Sequence, residues 1–159
     1  VIEESTLRCF LFRLLEEAVG SRFALFASAI VFSAAHVANA GAGVLTFVVV
    51  TLAGILWAEV FLLSRNLWVT AAHHFCWNAT IFVVGLPLSG ETDVRASAPL
   101  QSVFHGSDLW TGGVFGPEDS LVNVAVMSVL CLALWQLLRR RGRLTPYPRF
   151  ASSSRNAAP

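Results

Sequence analysis

Four stretches of this chain are apolar for nearly the length that a helix needs to cross a bilayer. A helix rises about 1.5 Å per residue, so roughly 20 mostly apolar residues span the hydrocarbon. Gly43 to Ser64 and Leu67 to Leu86 have that length, Ser120 to Leu138 comes close, and Phe23 to Ala38 is short. A fifth segment, Ile2 to Val19, has a helical pattern but is interrupted by Arg8, Arg13, Glu16 and Glu17, so it makes sense only when packed against other helices. Charged residues make up 13% of the chain, about half of what soluble domains carry. The expected fold class is all-α, a multi-pass transmembrane helical bundle. The chain opens on Val1 rather than a methionine and is expected to be a fragment lacking upstream helices.

Brief turns separate the apolar stretches: "GSR" at Gly20, "NAGAG" at Asn39 and "SRN" at Ser64. These divide the chain into core helices over 1–86, a polar loop over 87–119 with turn-forming Gly and Pro, a last transmembrane helix over 120–138, and a basic, disordered tail over 139–159. Cys9, Cys76 and Cys131 each lie in a different apolar stretch and form no CxxC pair, which argues against a disulfide framework or a zinc–thiolate site. They read as small buried hydrophobes.

The basic residues are all arginines, and several crowd into "RRRGR" from Arg139 to Arg143. Directly after an apolar span such a run signals membrane topology rather than nucleic-acid binding, so no nucleic-acid partner is expected. If the helices alternate in direction, Arg22, Arg65 and the arginine cluster fall on one side. The positive-inside rule makes that side, and the C-terminus, cytoplasmic. The expected location is integral and multi-pass in a bacterial cell membrane.

An ionisable side chain at the centre of a span costs about 2.5–3.5 kcal/mol on insertion scales, so each one is a functional candidate. The set here is Glu3, Glu4, Arg8, His36, Glu59, His73, His74 and Asn78. Glu4 and Arg8 stand at i,i+4, the favourable order for an ion pair, while Glu3 is rotated by about 100°. His74 and Asn78 form a second i,i+4 pair, with Thr70 one turn earlier, and His73 looks elsewhere. Counted from the cytoplasmic turns, Glu3, His36 and Asn78 lie about 20 Å deep and His74 about 14 Å. Three helices thus bring a carboxylate, an imidazole and an imidazole–amide pair to similar depth. Glu59 is expected to pair with Arg65 near the surface, His105 to be solvated, and Trp57, Trp68 and Trp110 to serve as interfacial anchors.

These residues also spell a pattern. "EESTLR" (Glu3 to Arg8), "FSAAH" (Phe32 to His36) and "HFCWN" (His74 to Asn78) fit EExxxR, FxxxH and HxxxN. In this order, on successive hydrophobic helices, they resemble the CPBP family. That family comprises type II CAAX prenyl endopeptidases and bacteriocin-processing and self-immunity proteins. The resemblance covers about Val1 to Leu86. It implies peptide hydrolysis inside the membrane, with Glu3 taking a proton from water and His36 orienting that water. His74 and Asn78 would donate to the oxyanion, as electrostatic stabilisation requires, and Glu4 and Arg8 would brace the first helix. The implied partners are a peptide or protein substrate, either a prenylated or a leader peptide, and membrane lipid.

Glu3, His36 and His74 could also ligate zinc, but HExxH is missing and Asn78 is a poor ligand, so a cofactor-free mechanism is expected. The alternative function is a non-catalytic membrane protein, a bacteriocin self-immunity factor or scaffold. A proton relay is a further rival.

The orientation is open to a direct test. A single cysteine at Ser102, with the native cysteines removed, is expected to react with a membrane-impermeant thiol reagent on intact cells. Labelling only after lysis would reverse the topology.

Overall fold

The computed structural model describes residues 2–146. Among them the chain is helical apart from turns, loops and one isolated bridge between Leu88 and Glu91. The basic tail expected over 139–159 falls largely on residues 147–159, outside those described.

The N-terminal segment is α1 (Ile2–Glu4), a π-helical stretch (Ser5–Phe12) and α2 (Arg13–Val19). Its sequence explains the unusual winding. Glu4, Arg8, Phe12 and Glu16 are all buried, at a strict spacing of four. In an α-helix a four-residue step overshoots the turn by about 40°, so four such residues would spiral off one face. π winding, with its i→i+5 bonds, lengthens the turn, so the overshoot does not accumulate along the segment and Glu4, Arg8, Phe12 and Glu16 all stay buried.

Next come α3 (Ser21–Ala34), α4 (Val44–Ser64) and α5 (Leu67–Val83). α3 stops four residues short of the expected Ala38, and His36 lies in the turn beyond it, its N–H bonded to the Ser33 carbonyl at 2.9 Å. Between α5 and the last helix run α6 (Thr92–Ala96), α7 (Asp108–Thr111) and a 3₁₀ turn (Pro117–Asp119). The last helix, α8 (Leu121–Arg140), extends two residues past the expected Leu138 and takes in the first two arginines of the basic run.

α4 is the central element and packs against α3, α5 and α8. α3 buries several small residues, Ser21, Ala24, Ser28, Ala29 and Ser33, of which Ala29 and Ser33 meet α4. The helices come close at Gly54, where an added Cβ would stand 2.9 Å from Ala29 Cα. Small residues allow such helix proximity where lipid removes the hydrophobic drive to associate. Ser33 Oγ adds an interhelical hydrogen bond to the Phe47 carbonyl at 2.9 Å.

Polar ties close the two ends. At one, Arg65, in a left-handed C-cap conformation after α4, makes a bidentate ion pair with Glu16 of α2. There too Ser21 and Thr145 bond reciprocally, the Thr145 N–H to Ser21 Oγ at 2.7 Å and the Ser21 N–H to the Thr145 carbonyl at 3.1 Å. The chain just beyond Arg143 is therefore docked on the start of α3. At the other end Thr46 Oγ1 donates to Asp119 at 2.9 Å and Asn39 Nδ2 to the Ser89 carbonyl at 2.8 Å. Burial raises the Asp119 carboxyl above its ordinary range, partly offset by the Thr46 hydrogen bond.

Among the described residues two helices, α4 and α8, are long and apolar enough to cross a membrane; α3 and α5 are shorter. Of α4's apolar window 56% is buried, against 22% of α8's, so α4 is the core helix and α8 turns most of its apolar surface outward.

The Gly54 contact yields a prediction. Gly54→Val is expected to force α3 and α4 apart at a cost of about 1–3 kcal/mol, the usual range for overpacking. It should appear as a lowered Tm in detergent, partly recovered when Ala29→Gly is added.

Candidate active site

Glu3, His36, His74 and Asn78 all line one cavity of about 310 Å³. α1 supplies Glu3, the turn after α3 supplies His36, and α5 supplies the other two. Val50, Ala53 and Trp57 of α4 form the apolar wall.

His36 is set by its own helix. The last carbonyls of a helix lack intrahelical donors, and His36 Nδ1 bonds one of them, the Phe32 carbonyl, at 2.9 Å. A carbonyl can only accept, so Nδ1 carries a proton, and in the neutral ring Nε2 keeps its lone pair. Phe32, four residues back, also packs on the imidazole, with ring centroids 4.6 Å apart.

His74 is held from three directions. Its Nδ1 meets Glu4 Oε1 at 3.0 Å. The other oxygen of Glu4 accepts from Arg8 Nε at 3.1 Å, and both of those side chains are fully buried. Arg8 Nη1 donates onward to Ser28 Oγ at 3.4 Å. Trp57 stacks on the imidazole at 4.1 Å and 25°. On the open side His74 Nε2 lies 3.8 Å from Glu3 Oε2, whose side chain is 53% exposed. The two adjacent glutamates are thereby sorted: Glu4 is locked between a guanidinium and an imidazole, while Glu3 faces the cavity with room for water. The contact from Glu4 to His74, across seventy positions of chain, goes beyond the helix-bracing role expected for Glu4.

Other expectations need correction. Trp57 is no interfacial anchor; it is 2% exposed, and its indole N–H donates to His73 Nδ1 at 3.0 Å. It lies mid-helix on the inward face of α4, where an anchor would need a helix end. Trp68 and Trp110 are exposed. Glu59 does not pair with Arg65. It is buried inside α4 with Oε2 lacking a hydrogen-bond partner among the described residues, because Arg65 turns to Glu16 instead. His105 is exposed, as expected for a solvated residue.

Four polar cavity residues carried no advance signal. Asn39, Ser89, Glu91 and Glu118 line it from the connecting segments, and nothing in their local spacing shows that they meet. Among the described residues, no three His, Cys, Asp or Glu side chains form a group that could hold a metal ion.

No curated protein and no solved structure matches the chain. Residues 1–80 match the model of a family described as type II CAAX prenyl endopeptidase Rce1-like. That span holds Glu3, Glu4, Arg8, His36, His74 and Asn78 together with the helices that carry them. Over half its length, and across every residue of the three motifs, the chain belongs to the Rce1-like family of type II CAAX prenyl endopeptidases.

Proposed function

We propose that this protein is an intramembrane endopeptidase in which Glu3 and His36 activate water and His74 and Asn78 stabilise the oxyanion. The observation that carries the reading is the convergence of these four side chains on one cavity. A water between Glu3 and His36 gives its proton to the Glu3 carboxylate, with His36 Nε2 accepting the second hydrogen bond and fixing the direction of attack. The hydroxide adds to the scissile carbonyl carbon. The resulting oxyanion takes hydrogen bonds from Asn78 Nδ2 and from His74 Nε2–H, with His74 in its doubly protonated form between Glu4 and Glu3. As the C–N bond breaks, Glu3 passes its proton to the leaving nitrogen. The products are a carboxylic acid and an amine, and Glu3 is again ionised.

In this reading Glu4 and Arg8 are support. They take the Nδ1–H of His74 and leave its Nε2–H for the substrate. In this reading no metal takes part, since the fourth position is held by Asn78, whose amide is a poor zinc ligand. The substrate is a membrane-associated peptide or protein, prenylated or bearing a leader. The surroundings are a multi-pass bundle with α4 and α8 across the bilayer and the C-terminus in the cytoplasm. In support, the polar ties that hold Arg65 and Thr145 place Arg65 and the end of α8 at the same end of the bundle.

Glu3→Gln keeps the shape and removes the base. A fall of about 100-fold or more in kcat is expected, within the usual contribution of a general base, at unchanged Tm. Full turnover in the folded variant would refute the assignment and favour a non-catalytic role. Activity is also expected to persist after exhaustive treatment with a strong chelator. Loss of activity restored by zinc would move Glu3, His36 and His74 into a ligand shell.

A further inference from the structure

The family match ends at residue 80, yet the cavity wall continues beyond it through Leu88, Ser89, Glu91 and Glu118. The first three belong to one tight turn, closed by the Glu91 N–H to the Leu88 carbonyl at 2.8 Å. The turn lies flat on the chain that follows His36. At Gly90, φ is +82° and an added Cβ would stand 2.4 Å from the Ala40 carbonyl oxygen. Asn39 Nδ2 holds the turn on that side, through the Ser89 carbonyl.

On the other side a single carboxylate holds it. Glu118 Oε2 accepts from the Ser89 N–H at 2.7 Å and from Ser89 Oγ at 2.8 Å. Glu118 Oε1 accepts from Trp77 Nε1 at 2.9 Å. Trp77 lies on α5 directly before Asn78 and three residues after His74. The backbone of Glu118 is itself secured, its carbonyl accepting from Asn123 Nδ2 of α8 at 2.8 Å. Glu118 thus bridges the turn to the helix that carries half of the site.

We propose that Glu118 is a positioning residue for the hydrolysis, holding the Leu88–Glu91 turn against Trp77 as a roof that sets the width of the cavity entered by the peptide. The proposal rests on the reading of that cavity as the proteolytic site. A carboxylate is suited to the task because each oxygen can only accept, and donors approach from both sides. Glutamine at 118 has one accepting oxygen, so either Trp77 or Ser89 would face an NH₂ group, an arrangement that costs more than the missing bond alone.

The test uses the full chain in detergent. Glu118→Gln is expected to raise KM for a cleaved peptide about tenfold with kcat within twofold, since Glu3, His36, His74 and Asn78 are untouched. Adding Trp77→Phe removes the competing donor and should restore much of the KM. A second measurement does not need activity. A cysteine at Ala53, in the cavity wall, in a background lacking Cys9, Cys76 and Cys131, reports access through its reaction rate with a small methanethiosulfonate. That rate should rise several-fold in Glu118→Gln. Trp77→Phe, which cuts one tie and spares the carboxylate, should give a smaller rise and serves if Glu118→Gln does not fold. Unchanged labelling overturns the roof. Faster labelling with unchanged KM, or with a loss confined to kcat, overturns the positioning role. Full turnover in Glu3→Gln would instead defeat the proteolytic reading, and the labelling rates would still decide the roof.

Discussion

The buried pair of Arg8 and Glu4 is the interaction on which the rest of the site depends. Two charges taken from water into an apolar interior carry a desolvation penalty of several kcal/mol each, recovered only with good geometry and further hydrogen bonds. Both are met in large part, with one guanidinium nitrogen, Arg8 Nη2, left without a hydrogen-bond partner among the described residues. Arg8 spreads its donors over Glu4 and Ser28 and lies 5.8 Å from the centre of the Phe32 ring. Glu4 spends its second oxygen on His74. Because neither charge can leave without stranding the other, α1, the middle of α3 and α5 are held in one relative position. That position puts Glu3 opposite His74.

Two aromatic residues carry the same order into the uncharged part of the site. Trp57 gives His74 a flat surface and its N–H to His73, so two successive histidines on α5 are oriented by one indole of α4. Phe32 works at both ends: its carbonyl anchors His36, and its ring meets Trp57 edge-on at 5.7 Å. Aromatic side chains suit this work, presenting large rigid surfaces with few rotatable bonds. His36 and His74, on different elements, are therefore fixed through one connected group of rings.

Much of this was legible in the residues. The i,i+4 spacings of Glu4 with Arg8 and of His74 with Asn78 follow from helical geometry alone, and the apolar runs announced the helices around them. What stayed hidden has a common cause. The π winding answers to burial at every fourth residue, and burial depends on neighbours that no local pattern names. The inward turn of Trp57, the pairing of Arg65 with Glu16 and the roof held by Glu118 each join segments 16 or more residues apart. The end of α3 before His36 was missed for a different reason. Apolar character continues past Ala34 although the helix does not, so hydropathy alone overran the boundary.

The π-helical stretch also works as an angular setting. Its segment is pinned at the far end by Glu16 on Arg65 and at the near end by Glu4 on His74. Between two fixed points a helix has no freedom to rotate, so the count of residues between them decides which side chains face inward. One residue fewer would swing the leading glutamates by about 100° relative to the anchor at Glu16. Glu3 would then be carried away from His74 with no change in composition or hydropathy. The wide winding reconciles an interval of twelve residues with a single face, and the aim of the first carboxylate is in this sense a matter of counting.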